Sequence, residues 1–267
     1  MKIERDGVEL NVRLDGEGAP VLLLHGFPDS HELWRNQIPA LNAAGFQTIA
    51  PDLRGFGDSD KPENVDAYGL MEHLADLAAI MDHAGVARAH VVGHDWGAVI
   101  AWMLATFMPE RVDRLATLSI GRVGTRARTL ESLSPLWYMF LFQFDEVEEF
   151  LTRDDWAQLR AWGSLSPDID RSIERLAKPG ALRAALAIYR ANATPAVLLA
   201  PPLDLPKIKA PTMGIWGARD FVPEEQMTAS ANDVAGTWRY ERIEDAGHWT
   251  PLEAPERLNE LLLSFLR

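Results

Sequence analysis

Residues Val91-Val92-Gly93-His94-Asp95-Trp96-Gly97-Ala98 decide the reading of this chain. An apolar strand pattern precedes Asp95 and an apolar helix pattern, 98–108, follows it. A strand that turns directly into a helix crowds its own backbone, which favours residues without a Cβ on either side of the turn. Gly93 and Gly97 stand there. The apex side chain then points out above the sheet edge, at a helix N-terminus that favours an ionised carboxylate. This strand–turn–helix outline, G-x-D-x-G, presents a nucleophile in its better-known serine form. An aspartate before a helix also serves as a plain N-cap. The strand before it and the flanking glycines favour the nucleophile.

Moving outward, short apolar runs at 21–24, 48–50, 90–92, 115–120, 212–216 and 239–243 alternate with helical patterns. Nearly continuous apolar runs suit strands covered on both faces. Leu70, Leu74, Leu77 and Met81 repeat at helical spacing, as do Leu258, Leu261, Leu262, Phe265 and Leu266. The fold class expected is α/β, with a mostly parallel central sheet and helices on both faces. The alternation breaks over 122–207, where helices are expected at 146–151, 154–162, 169–177 and 180–191 before a proline-rich exit. We therefore expect core segments at 1–121 and 208–267 with an inserted helical cap, 122–207, over the strand ends where such sheets bind ligands.

Bulk composition bounds the function. Hydrophobic residues make up 47% of the 267, so a packed core is expected. The net charge of −13 argues against nucleic acid or an anionic membrane surface as partner. There is no cysteine, which removes disulfides, thiolate catalysis and thiolate metal sites. The charged opening stretch is not a secretory signal, and no apolar run approaches the ~20 residues of a membrane span. A soluble, cytoplasmic protein is expected, monomeric or homodimeric.

A carboxylate nucleophile differs from serine in one decisive way. It is already ionised at neutral pH and needs no base for attack. It attacks an sp³ carbon and leaves an alkyl ester on the protein, and water must then cleave that ester. A histidine oriented by an acid is needed for this second step. Asp220, in Gly217-Ala218-Arg219-Asp220, and His248, in Ala246-Gly247-His248-Trp249, follow strands in the order nucleophile, acid, histidine. Asp220 could instead be a turn residue before Pro223, and His248 a packed imidazole. Asp245 is a second candidate for the orienting acid, ranked lower because it lies so close to His248 in sequence. After the first strong strand, His25-Gly26-Phe27-Pro28 offers the Phe27 N–H beside that of Trp96 as an oxyanion hole.

These stretches resemble the α/β-hydrolase superfamily and, within it, the soluble epoxide hydrolases. The resemblance rests on His25-Gly26-Phe27-Pro28, Asp52-Leu53-Arg54-Gly55-Phe56-Gly57-Asp58-Ser59-Asp60-Lys61-Pro62, Gly93-His94-Asp95-Trp96-Gly97, Gly217 to Asp220, and Gly247-His248-Trp249-Thr250. It spans nearly the whole core, and the aspartate narrows it to epoxide hydrolases and dehalogenases. The resemblance implies that two cap tyrosines donate to the epoxide oxygen. Tyr138, in Tyr138-Met139-Phe140-Leu141-Phe142-Gln143, and Tyr189, in Tyr189-Arg190-Ala191-Asn192, match those motifs. Either could also be a packed helix residue. Two departures, Phe144-Asp145-Glu146 and Gly121-Arg122-Val123, fall where the family usually has proline or glycine and bear on pocket shape.

The expected function is hydrolysis of a small apolar epoxide by water to a vicinal diol through an ester on Asp95. Phe27, Trp96, Trp137, Phe142 and Trp249 are the expected substrate-binding side chains. No metal or organic cofactor is implied. A haloalkane dehalogenase is the alternative. It would hold a halide on N–H donors such as Trp96, Trp137, Trp156 or Trp162. A non-catalytic receptor on the same fold is a second alternative.

Overall fold

Every apolar run expected to be a strand joins one eight-stranded sheet in the computed structural model, which describes residues 1–162 and 166–267 apart from the side chains of Leu130, Glu131 and Trp162. The strands are β1 (Lys2–Arg5), β2 (Val8–Asp15), β3 (Ala19–Leu24), β4 (Phe46–Pro51), β5 (Ala89–His94), β6 (Val112–Leu118), β7 (Thr212–Gly217) and β8 (Trp238–Ile243), in the order β1-β2-β4-β3-β5-β6-β7-β8. Pairing is parallel from β4 to β8 and antiparallel only at the β1 and β2 edge. That edge pair lies in the charged opening stretch. There Val8, Leu10 and Val12 alternate inward with outward polar residues, as a half-covered strand requires.

The helices are α1 (Gln37–Ala43), α2 (Leu70–His83), α3 (Trp96–Phe107), α4 (Leu130–Leu133), α5 (Trp137–Leu141), α6 (Val147–Trp162), α7 (Ile169–Leu176), α8 (Ala181–Asn192), α9 (Pro195–Leu198), α10 (Glu224–Ala229), α11 (Thr250–Glu253) and α12 (Pro255–Leu266). Side chains alternate between two cores. Leu22 and Leu24 of β3 pack with α2 and α3, while Val21 and Leu23 pack with α1 and α12. The α12 stripe buries Leu258, Leu261, Leu262, Phe265 and Leu266. Each such side chain contributes about 1.5–3 kcal/mol of apolar burial.

Among the described residues, 122–207 between β6 and β7 are helix or loop. The helices expected at 146–151 and 154–162 are the two helical segments of α6, separated by non-helical backbone at Arg153, Asp154, Asp155 and Trp156, the last three with φ values of 50°, 54° and 64°. No glycine marks that turn. The insertion is tied to the sheet domain by side chains. Asn192 Oδ1 accepts the Leu70 N–H at 2.9 Å, and its Nδ2 donates to the Tyr68 carbonyl at 2.8 Å. Arg35 Nη1 is 2.6 Å from Asp168 across the same boundary.

Candidate active site

The turn between β5 and α3 holds Asp95 at φ 52° and ψ −122°, a backbone region costly for a residue with a Cβ. Surrounding close contacts impose it. A Cβ on Gly93 would lie 2.3 Å from the Gly97 carbonyl oxygen, and one on Gly97 would lie 2.1 Å from that of Leu24. A Cβ on Gly26 would lie 2.2 Å from Asp95 Oδ1. Only glycines let β3, the turn and the 25–28 loop approach this closely.

Asp95 is 7% exposed. Its Oδ1 accepts the Phe27 N–H at 2.8 Å, and the Trp96 backbone N–H bonds to the same carboxylate. Burial alone would favour the protonated acid, but His248 and these N–H groups outweigh it and hold the pKa below its ordinary value. The 25–28 loop is itself pinned by His25. Its Nδ1–H donates to the Gly26 carbonyl at 2.9 Å, and its Nε2 accepts the Leu53 N–H at 3.0 Å. Burial keeps this ring neutral, with its pKa lowered to about 4.

His248 lies between two carboxylates. Nδ1 is 3.0 Å from Asp220 Oδ1, and Nε2 is 3.7 Å from Asp95 Oδ2. Burial opposes its charge, but Asp220 and Asp95 together raise its pKa to about 10. Asp220 also accepts the Val222 N–H at 3.0 Å, so it is a turn residue as well as the imidazole's partner. Asp245 is exposed, and its carbonyl is taken by Arg219. Two side chains that sequence reading missed fix His248 from behind. His94 Nε2–H and Ser119 Oγ–H each donate to its carbonyl at 2.8 Å. Beside it, Asp29 accepts the Trp249 indole N–H at 3.0 Å, and burial raises the Asp29 pKa to about 7. The signals were an aspartate right after the 25–28 loop and a histidine inside the turn motif, both too common to single out.

Tyr138 on α5 and Tyr189 on α8 are 4% and 2% exposed. Their rings lie 6.0 Å apart, and Tyr189 sits edge-on to Trp96 at 5.1 Å. Burial first, then the Asp95 charge, keeps both phenols protonated well above their ordinary range. A hydrogen bond from Trp96 to Tyr189 pulls slightly the other way. The motif neighbours explain how the helices hold this register. Gln143 Nε2 is 3.3 Å from both the Tyr189 and Ala193 carbonyls, and Arg190 Nε donates to the Phe142 carbonyl at 3.1 Å.

Two cavities meet Asp95. A small one of about 20 Å³ is lined by Asp95, Tyr138, Tyr189, His248, Phe27 and Trp249 among others, room for one water. A larger one of about 480 Å³ is bounded by Asp95, Trp96, Val99, Met103 and Ile120 and runs beneath the insertion. Phe142 lines neither cavity but backs the lining residues Tyr138, Tyr189 and Phe27 at ring distances of 5.6, 4.9 and 5.7 Å. Trp137 departs from expectation. It opens α5 with its neighbour Tyr138 turned inward, so its own side chain faces out and is 56% exposed. Trp156 lines neither cavity, and the Trp162 side chain lies outside the described residues. At Gly121, a Cβ would lie 2.1 Å from the Gln226 carbonyl oxygen, so this departure lets α10 close against the end of β6. Among the described residues no group of three His, Asp or Glu side chains is placed to hold a metal ion.

The sheet order, the strained apex aspartate and the imidazole–carboxylate pair facing it define the class of protein: an α/β-hydrolase. A family model described as the alpha/beta hydrolase fold matches residues 19–255. Epoxide hydrolase A of Mycobacterium tuberculosis is 32% identical, covering 99% of this chain and 96% of that protein. An AB hydrolase superfamily protein of Bacillus subtilis is 31% identical over the same shares. The crystal structure of a Bacillus megaterium epoxide hydrolase in complex with an inhibitor superposes with a TM-score of 0.88 at 29% identity, covering 100% of this chain and 99% of that one. The chain belongs to the epoxide hydrolase family of the α/β-hydrolase superfamily and is a hydrolase.

Proposed function

We propose that this chain converts an epoxide to a vicinal diol through a covalent ester on Asp95, with residues 122–207 acting as the cap over the site. The observation that carries the reading is the pair of buried hydroxyls. Tyr138 and Tyr189 line the same small cavity as Asp95 and His248. An epoxide oxygen becomes an alkoxide on ring opening, and an alkoxide is far more basic than a phenolate. Two phenols that stay protonated at neutral pH are matched to receive it.

Asp95 attacks one epoxide carbon while Tyr138 and Tyr189 hold the oxygen and supply its proton. Ester formation removes the Asp95 charge, one of the two that raise the His248 pKa. The imidazolium can then release its proton to the tyrosinate and become a base. His248, oriented by Asp220, next takes a proton from water, which attacks the ester carbonyl. The Phe27 and Trp96 N–H groups already contact the Asp95 carboxylate and would carry the oxyanion. Collapse releases the diol and restores Asp95. A halide-releasing reaction is less well supported. The Trp96 indole is engaged with Tyr189, and Trp137 faces outward.

A single turnover in ¹⁸O water tests the route. Label should enter the Asp95 carboxylate, and label in the diol alone on the first turnover would exclude the ester. A panel of styrene-type and aliphatic epoxides beside bromoalkanes separates the two chemistries. Diol without bromide is expected, and bromide without diol would reverse the assignment.

A further inference from the structure

Among the described residues, only two buried residues other than glycine have a positive φ: Asp95 at 52° and Ser119 at 69°. Ser119 directly follows β6 and is completely buried. The Ile120 N–H returns to the Leu118 carbonyl at 2.8 Å and closes a three-residue turn around it. With a positive φ at its centre, such a turn is of the rare, strained kind. Glycine would adopt it freely. What serine adds is a hydroxyl, and that hydroxyl donates to the His248 carbonyl at 2.8 Å.

The turn is anchored from both sides. The Ser119 N–H donates to the Ile215 carbonyl of β7 at 3.1 Å, and the Trp102 indole N–H of α3 donates to the Ile120 carbonyl at 3.1 Å. The hydroxyl thus acts from a fixed mount. Its acceptor belongs to the residue whose Nε2 stands 3.7 Å from Asp95 Oδ2. Closing that gap by roughly 1 Å would create a direct charge-assisted hydrogen bond. The nucleophile would be tied up, and the water that must reach the ester would be displaced. Resting on the reaction proposed above, we infer that Ser119 is a positioning residue. With the His94 donor on the same carbonyl, it holds His248 at the distance that ester hydrolysis requires.

Ser119→Gly tests this, because it suits the turn and removes the hydroxyl. A single turnover of styrene oxide, followed by rapid quenching and intact mass, separates the fraction of chain that forms ester, the rate of its formation and the rate of its decay. Formation should stay within about twofold of wild type while decay slows roughly tenfold, the result of a small misplacement of a catalytic group. Ser119→Cys, with a weak donor of similar size, should recover part of the decay rate. A serine with a merely structural role would lower the fraction that reacts and leave the decay rate alone, so decay at the wild-type rate would overturn the inference. Should Ser119→Gly not fold, Ser119→Ala gives the same comparison. Low-field proton NMR needs no reaction. The His248 Nδ1–H shared with Asp220 should exchange with water several-fold faster in Ser119→Gly. Faster exchange in a chain that forms no ester would defeat the reaction and keep the positioning role. Unchanged exchange, with ester that decays at the wild-type rate, would do the reverse.

Discussion

His248 Nε2 stands 3.7 Å from Asp95 Oδ2, close enough to share charge and too far for a direct hydrogen bond. This spacing divides the proposed labour in time. While Asp95 is ionised, it helps hold His248 protonated, and the imidazole cannot act as a base. Once Asp95 is esterified that support disappears, and only Asp220 still favours the charged ring. The base is switched on by the step that creates its substrate.

Replacing His248 by Gln removes the base and leaves the nucleophile. Ester formation should continue to one equivalent and then stop, with turnover reduced about 10²–10⁴-fold. Rapid quenching and intact-mass measurement should show the chain heavier by one substrate. Undiminished turnover would remove His248 from the mechanism.

The tyrosines should act in the other half of the cycle. Tyr138→Phe or Tyr189→Phe each leaves one hydroxyl on the epoxide oxygen, so we expect a loss of roughly tenfold to a hundredfold in the ester-forming burst. The double variant should lose about 10²–10⁴-fold, because no acid remains. Stopped-flow tryptophan fluorescence of the burst checks this. An unchanged burst in the double variant would assign ring opening to another group.

Much of this was legible in the sequence for local reasons. The turn at Asp95 is written in Gly93 and Gly97 because only the backbone crowds it. Strands β3, β5 and β7 are apolar on both faces, so their runs stand out, whereas β1 and β2 alternate with charges at the sheet edge. The roles of Tyr138 and Tyr189 came through family resemblance, since their spacing alone fits any amphipathic helix. Trp137 misled because aromatic identity says nothing of which way a short helix turns. Ser119 and Asp29 depend on contacts between distant segments, and no local pattern announces them.

The charge on His248 should show in the pH dependence of stability. Its folded pKa, about 10, lies above the ordinary 6.5. The stabilisation it gives is complete below 6.5 and is lost as pH rises through about 10. Asp95 works in the opposite sense. Its lowered pKa gives stability above the ordinary 3.8 that is lost as pH falls through the lowered value. Thermal melting should therefore decline between about pH 7 and 10. Asp220→Asn should lower the His248 pKa and move that decline to lower pH. A flat melting profile over this range, with His248 titrating near 6.5 by NMR, would refute the assignment.

Gly26 and Gly97 should respond differently to alanine. At Gly26 the new Cβ meets Asp95 itself, with Oδ1 at 2.2 Å and Cβ at 2.5 Å. At Gly97 it meets the β3 backbone, with the Leu24 carbonyl oxygen at 2.1 Å. Either substitution alone should destabilise by about 1–3 kcal/mol or more, the usual cost of overpacking. In an Asp95→Gly background the clash at Gly26 has lost its partner, so the cost of Gly26→Ala should fall below about 1 kcal/mol. The cost of Gly97→Ala should persist unchanged, because the Leu24 carbonyl remains in place. Urea unfolding of the two double-mutant cycles measures this. Equal coupling of both glycines to Asp95 would mean that the turn relaxes as a whole, and that Gly26 is not there to make room for the carboxylate.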